Sequence, residues 1–174
     1  DGASHSILVL NNYVTANTAD LGGGGIQASS IAPDCSTGTN ALTIAASSIV
    51  GNFALGDAAD PSTVGGGGIY AENVSQRTPD GVVAFRIVRN DIRSNSATTF
   101  GGGASLTVVA DDDPDLDGLT QPSAASVQFE NNLLVSNKAI DAAGGAAVGG
   151  GVSVLARAVG AQASAAVTQR FLTV

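Results

Sequence analysis

The residues best suited to chemistry stand in one acidic run at 111–118, which reads Asp-Asp-Asp-Pro-Asp-Leu-Asp-Gly. Asp113, Asp115, Asp117 and Gly118 follow the opening of a D-x-D-x-D-G calcium loop, and Asp111 adds a further carboxylate. Alternating aspartates on a tight loop can offer several of the oxygens that a hard Ca²⁺ ion needs. The glutamate that closes an EF-hand is missing, because the twelfth position of that frame is Ala124. The expectation is a calcium loop built from Asp111, Asp113, Asp115 and Asp117, against the plainer alternative of a solvated acidic loop. Ca²⁺ is the only cofactor expected.

Other groups are weaker candidates. Asp20, Asp57, Asp60 and Asp141 each follow an Asn-x-Ala box and could gather on one side as an acid/base pair. Their offsets differ, however, and the third box is followed by Thr98 and Thr99, so scattered loop carboxylates are the simpler reading. Arg86, Arg89 and Arg93 cluster, and an ion pair of Arg86 with Glu130 on a neighbouring strand is expected to account for the first. His5 is the single histidine and lies near the start of the sequence, which leaves a Ser-His-Asp arrangement without a base. Cys35 is the single cysteine, so no internal disulfide can form. Asn73-Val74-Ser75 is a formal glycosylation sequon. The glycine runs lack a following Lys-Ser/Thr and lack dinucleotide-fingerprint spacing. The catalytic expectation is therefore none.

What would position any of these groups is a repeat. Four segments carry two alternating apolar residues, a turn, one apolar residue and then Asn-x-Ala. Aligned on the Asn (Asn17, Asn52, Asn95, Asn137), they give columns without gaps. Ile7, Leu42, Phe85 and Val127 share one column; Val9, Ile44, Ile87 and Phe129 the next; Asn12, Ser47, Asn90 and Asn132 a third; Val14, Ile49, Ile92 and Leu134 a fourth. Apolar residues two apart are the signature of strands. Glycine runs at 22–25, 65–68, 101–103 and 149–151 follow, each leading into another short alternating segment. About three short strands per coil are expected, with inserts of free length between them.

A single coil cannot bury its inward residues, whereas coils stacked ~4.8 Å apart bury one another's Ile, Val and Leu columns. Inward Asn12, Asn17, Asn52, Asn90, Asn95, Asn132 and Asn137 are expected to hydrogen-bond along the stack as structural ladders. Glycines are expected at the tight corners. The tail from Ala165 onward is a partial fifth strand at most, with no clear place in the columns.

The boxes Val14-Thr15-Ala16-Asn17, Ile49-Val50-Gly51-Asn52, Ile92-Arg93-Ser94-Asn95 and Leu134-Val135-Ser136-Asn137, paired with Gly-Gly-Gly-Ile, resemble the repeats of right-handed parallel β-helix surface proteins. They are similar to the motifs of polymorphic outer-membrane proteins, autotransporter passengers and secreted bacterial repeat proteins, within the wider pectate-lyase-like superfamily. The resemblance covers roughly 5–155 and implies an all-β, right-handed parallel β-helix of about four to five coils. One domain is expected over 1–174, with clear repeats at 5–155 and an uncertain tail at 156–174. The resemblance does not choose a function, since that superfamily holds adhesins, lyases, hydrolases and tail spikes. No membrane barrel is expected after the repeats, a departure from the autotransporter pattern.

Composition agrees with a repetitive aliphatic core: 174 residues include 23 Gly, no Trp, no Met and 4% aromatics. A net charge of −8 argues against nucleic-acid partners and anionic membranes. No apolar run is long enough for membrane insertion. The sequence begins at Asp1 without Met and reads as a mature or trimmed product.

Outward positions should be polar, yet Leu8, Leu10, Val50, Leu133 and Val135 face out in this frame and mark a possible interface. The expected function is a non-catalytic extracellular structural or adhesive protein, secreted or on the cell surface, self-associating into a surface, matrix or fibre assembly. Its expected partners are further copies, neighbouring domains of a larger protein, or glycans. The alternatives are a carbohydrate-active or glycan-binding domain resembling a polysaccharide lyase or hydrolase, and a stalk segment of a larger adhesin.

Overall fold

The computed structural model of the protein describes residues 5–20, 22–33, 40–55, 65–76, 83–112, 122–140 and 149–170. Within them every regular element is a strand, so no helix among the described residues is long and apolar enough to cross a membrane.

The strands recur in sets of four. The first set is β1 (His5–Leu10), β2 (Tyr13–Thr15), β3 (Thr18–Ala19) and β4 (Ile26–Pro33). The second is β5 (Asn40–Ala45), β6 (Ser48–Val50), β7 (Phe53–Ala54) and β8 (Ile69–Gln76). The third is β9 (Val83–Val88), β10 (Asp91–Arg93), β11 (Ser96–Ala97) and β12 (Ala104–Asp111). The fourth is β13 (Ser123–Glu130), β14 (Leu133–Val135), β15 (Lys138–Ala139) and β16 (Val152–Val159), and β17 (Ala163–Arg170) follows.

Strands four apart in the sequence pair in parallel, giving one five-stranded sheet, β1-β5-β9-β13-β17, and three four-stranded sheets, β2-β6-β10-β14, β3-β7-β11-β15 and β4-β8-β12-β16. The result is an all-β stack of parallel sheets of the solenoid kind, in which each strand forms one rung. Four sheets replace the three strands per coil expected above, because the positive-φ residue before the Asn of each Asn-x-Ala box turns the chain between two short strands.

The register reproduces the sequence columns. Ile7 pairs with Leu42, Leu42 with Phe85, and Phe85 with Val127. The tail corrects the sequence reading: β17 is a full eight-residue strand paired along its whole length to β13, and Val167 extends the column of Val127. The column of Phe129 breaks there, because polar Gln169 stands against it in the terminal rung.

Inward residues alternate with outward ones, and the two sets fill different spaces. Ile44, Ile49, Ile69, Ile87, Ile92, Leu106, Val108, Val127 and Phe129 are fully buried in one continuous core. Each would be a half-exposed side chain on an isolated rung. Burial depends on the rung before and the rung after, which is why the middle rungs are dry and the first is open.

Candidate functional site

Of the calcium set, only Asp111 lies among the described residues; Asp113, Asp115 and Asp117 lie outside them. Asp111 ends β12 and stands in register with Gln76 and Val159. Its neighbour Asp112 is buried, and Asp112 Oδ2 accepts a hydrogen bond from the Gln162 backbone N–H at 2.6 Å. The carboxylate thus fastens the turn between β16 and β17, where Gly160 has φ +93°. A Cβ at Gly160 would overlap the Asp112 carboxylate at 1.7 Å, so this turn requires glycine. Among the described residues no three acidic, histidine or cysteine side chains gather as a metal set.

The other candidates are placed as follows. Asp20 is exposed just beyond β3, while Asp57, Asp60, Asp141 and Cys35 lie outside the described residues. Arg86 corrects its expected partner: Gln128, not Glu130, stands beside it, with Arg86 Nε donating to Gln128 Oε1 at 3.1 Å. Glu130 stands one strand step further and meets Arg170 of β17 at 3.6 Å instead. Arg93 is exposed and pairs with Asp91 two residues earlier. The Asn73 side chain is fully buried, with Nδ2 donating to the Ser126 carbonyl at 2.9 Å, so the sequon is out of reach of glycosylation in the folded chain.

The two asparagine ladders are the most ordered polar feature. In the longer one, Asn17 Nδ2 donates to Asn52 Oδ1, Asn52 Nδ2 to Asn95 Oδ1, and Asn95 Nδ2 to Asn137 Oδ1, each at 3.0 Å. The backbone N–H of each donor residue bonds to the same oxygen. The second amide proton points back one rung, from Asn52 to the Val14 carbonyl, Asn95 to Ile49, and Asn137 to Ile92. The other ladder runs from Asn12 N–H to Ser47 Oγ, Ser47 N–H to Asn90 Oδ1, and Asn90 Nδ2 to Asn132 Oδ1. Every bond from a ladder residue to the ladder oxygen of the next rung runs the same way, so each ladder has an acceptor end at the first rung and a donor end at the fourth.

The residue before every ladder position has positive φ: Asn11, Ala16, Ala46, Gly51, Arg89, Ser94, Asn131 and Ser136. This left-handed residue aims the next side chain inward. Only one of the eight is glycine, whereas each glycine run supplies a positive-φ corner of its own at Gly23, Gly66, Gly101 or Gly149. The strain, roughly 1 kcal/mol per non-glycine residue, is offset by the ladder bonds that the conformation permits.

Sequence reasoning also missed a polar cluster on the outer face of the β4-β8-β12-β16 sheet. Ser29 Oγ donates to Glu72 Oε2 at 2.8 Å. Tyr70 is only 9% exposed, and its hydroxyl interacts with Thr107 and Glu72. Burial, reinforced by the Glu72 charge, holds the Tyr70 phenol above the usual tyrosine range. The signal available was parity: Ser29, Glu72 and Thr107 share one outward column once the register is known.

The chain matches no family model, no curated protein and no solved structure.

The expected interface residues do not form one patch. Leu8 and Leu10 are exposed on β1 in the first rung, and Leu133 and Val135 are exposed on β14 in the fourth. Val50, on β6, shares an outward column with Val135, but Arg93 stands between them. An open cleft of about 420 Å³ lies at the first-rung end, lined by Ile7, Val9, Ile26, Ala28, Leu42 and Phe85 among others.

Proposed function

We propose that this chain is a non-catalytic structural or adhesive β-solenoid of the extracellular space, wound right-handed, whose copies join into a surface, matrix or fibre. The handedness follows from the strong preference of parallel strand crossovers for the right-handed sense.

One observation carries the reading. The large apolar side chains exposed among the described residues concentrate at the two ends of the stack: Ile7, Leu8, Leu10 and Tyr13 on the first rung, and Leu133, Val135, Ile140, Val154 and Leu155 on the last. Leu55 is the exception. Among the described residues β1, β2, β3 and β4 end their sheets on one side and β14, β15, β16 and β17 on the other, and an open strand edge invites pairing with another chain unless it is blunted. Apolar surface beside an open edge is the pattern of an association surface.

The interior points the same way. Buried asparagines are spent on ladders that stack one rung on the next, leaving a scaffold rather than a cleft lined with reactive groups.

Sedimentation velocity of the intact chain over a wide concentration range tests the proposal. A sedimentation coefficient that climbs with concentration supports it; one unchanged species throughout would sink it.

A further inference from the structure

Resting on that reading, we propose that copies join head to tail, the first rung of one against the fourth rung of the next, and that β17 must leave its place on β13 for the joint to close. β17 is then an exchangeable cap, and the partner it excludes is β1 of a second copy.

Ladder polarity sets the orientation. At the first-rung end, Asn17 Oδ1 and Asn12 Oδ1 accept no hydrogen bond from any described residue, although both residues already bond to the second rung. At the other end, Asn137 and Asn132 each spend one amide proton on the rung behind, at 2.8 and 2.7 Å, and donate neither the other nor the backbone N–H to any described residue, the two groups that at an inner rung such as Asn52 bond to the next rung. Like ends brought together would set oxygen against oxygen or donor against donor. Head-to-tail docking instead sets Asn137 and Asn132 donors against Asn17 and Asn12 oxygens, repeating the bond made at every internal rung.

Rung counting sets the role of β17. One sheet has five strands and the other three have four. A docking copy that pairs its β2, β3 and β4 with β14, β15 and β16 must bring its β1 to the edge of β13. That edge is the one β17 already holds. If β1 stacked on β17 instead, the other three sheets would each be left one rung short, a gap of ~4.8 Å.

The side chains show which strand suits the edge better. Following the register from β1 through β5 and β9 to β13, a docked β1 would set Ile7 on Val127 and Val9 on Phe129. β17 sets Val167 and Gln169 there, and Gln169 stays exposed. Ile7 is 60% exposed in the free chain, and docking would bury it. The cleft beside Ile7 and Val9 would receive the inward side chains of the partner's last rung, Val152 and Val154.

The test compares the intact chain with Val167→Asp, which loosens β17 without shortening the chain, and with a chain ended after Gly160. Sedimentation velocity and electron microscopy read assembly, and circular dichroism checks folding. Both changes should lower the concentration at which elongated particles form, and adding Ile7→Asp to either should abolish them. Folded Val167→Asp that assembles no more readily than the intact chain overturns the exchange. If the intact chain assembles equally well, only the exchange fails and self-association stands. If none of the three assembles, self-association fails with it. Should the shortened chain not fold, the comparison with Val167→Asp decides alone.

Discussion

Gly68 packs directly against the side chain of Asn95: a Cβ built on the glycine would stand 3.0 Å from Asn95 Nδ2 and 2.5 Å from the Gly103 carbonyl oxygen. Gly25 stands in the same relation to Asn52, and Gly103 to Asn137. The glycine runs and the Asn-x-Ala boxes are therefore two halves of one device. The ladder amides occupy the space that side chains on the glycines would fill, and both repeat because every rung needs both.

Removing one ladder amide from a middle rung should be costly. Asn95→Ala leaves the Asn52 N–H and Nδ2 and the Ile49 carbonyl without their partner. Stranded buried groups of this kind should cost about 3 kcal/mol or more. Asn12→Ala, on the exposed first rung, should cost no more than about 0.5 kcal/mol. Urea unfolding midpoints of the two variants check the contrast.

Glycine substitutions should separate by position rather than by conformation. Gly51 has φ +66°, and a Cβ there meets nothing within 4 Å; Ala16 and Ala46 already adopt such φ values at equivalent corners. Gly51→Ala should cost about 1 kcal/mol. At Gly67 a Cβ would meet the Ser96 carbonyl oxygen at 2.1 Å, backbone that cannot step aside without parting the rungs. Gly67→Ala should yield a chain without a cooperative thermal transition, while Gly51→Ala melts nearly as the parent does.

Much of the fold could be read from the sequence. Ile7, Leu42, Phe85 and Val127 fall into one column by counting from Asn alone, and the strand register repeats that count. Two things could not be read. Corner conformation was hidden because residues as different as Arg89, Ser94 and Ala16 share it, and only their position before a ladder residue unites them. The rung of β17 was hidden because an end rung is buried on one side only, so Gln169 and Arg170 are tolerated where inner rungs carry Phe129 and Glu130. The candidate sites were less legible, since Asp57 and Asp115 fall in none of the repeat columns of the sequence.

Alkaline pH should weaken the fold through Tyr70. Its phenol is held above the usual range, so the folded chain keeps a proton that the unfolded chain gives up near pH ~10. Stability contributed by the neutral phenol is complete below that pH and is lost as pH rises through the folded value. The melting temperature should therefore fall above pH ~10 in the parent and fall less in Tyr70→Phe. Equal slopes for the two proteins would remove Tyr70 as the cause.

We propose that calcium binds the acidic run at 111–118. Millimolar Ca²⁺ should raise the melting temperature of the parent, and Asp115→Asn with Asp117→Asn should lose that rise. Calorimetric titration with Ca²⁺ alone checks it, and a trace without binding heat returns the loop to a solvated acidic turn.

The most direct test of the central claim is negative-stain electron microscopy of the intact chain at rising concentration. Self-association through the terminal rungs predicts particles that lengthen along the stacking axis while keeping the width of one solenoid. Single short particles at every concentration would contradict it.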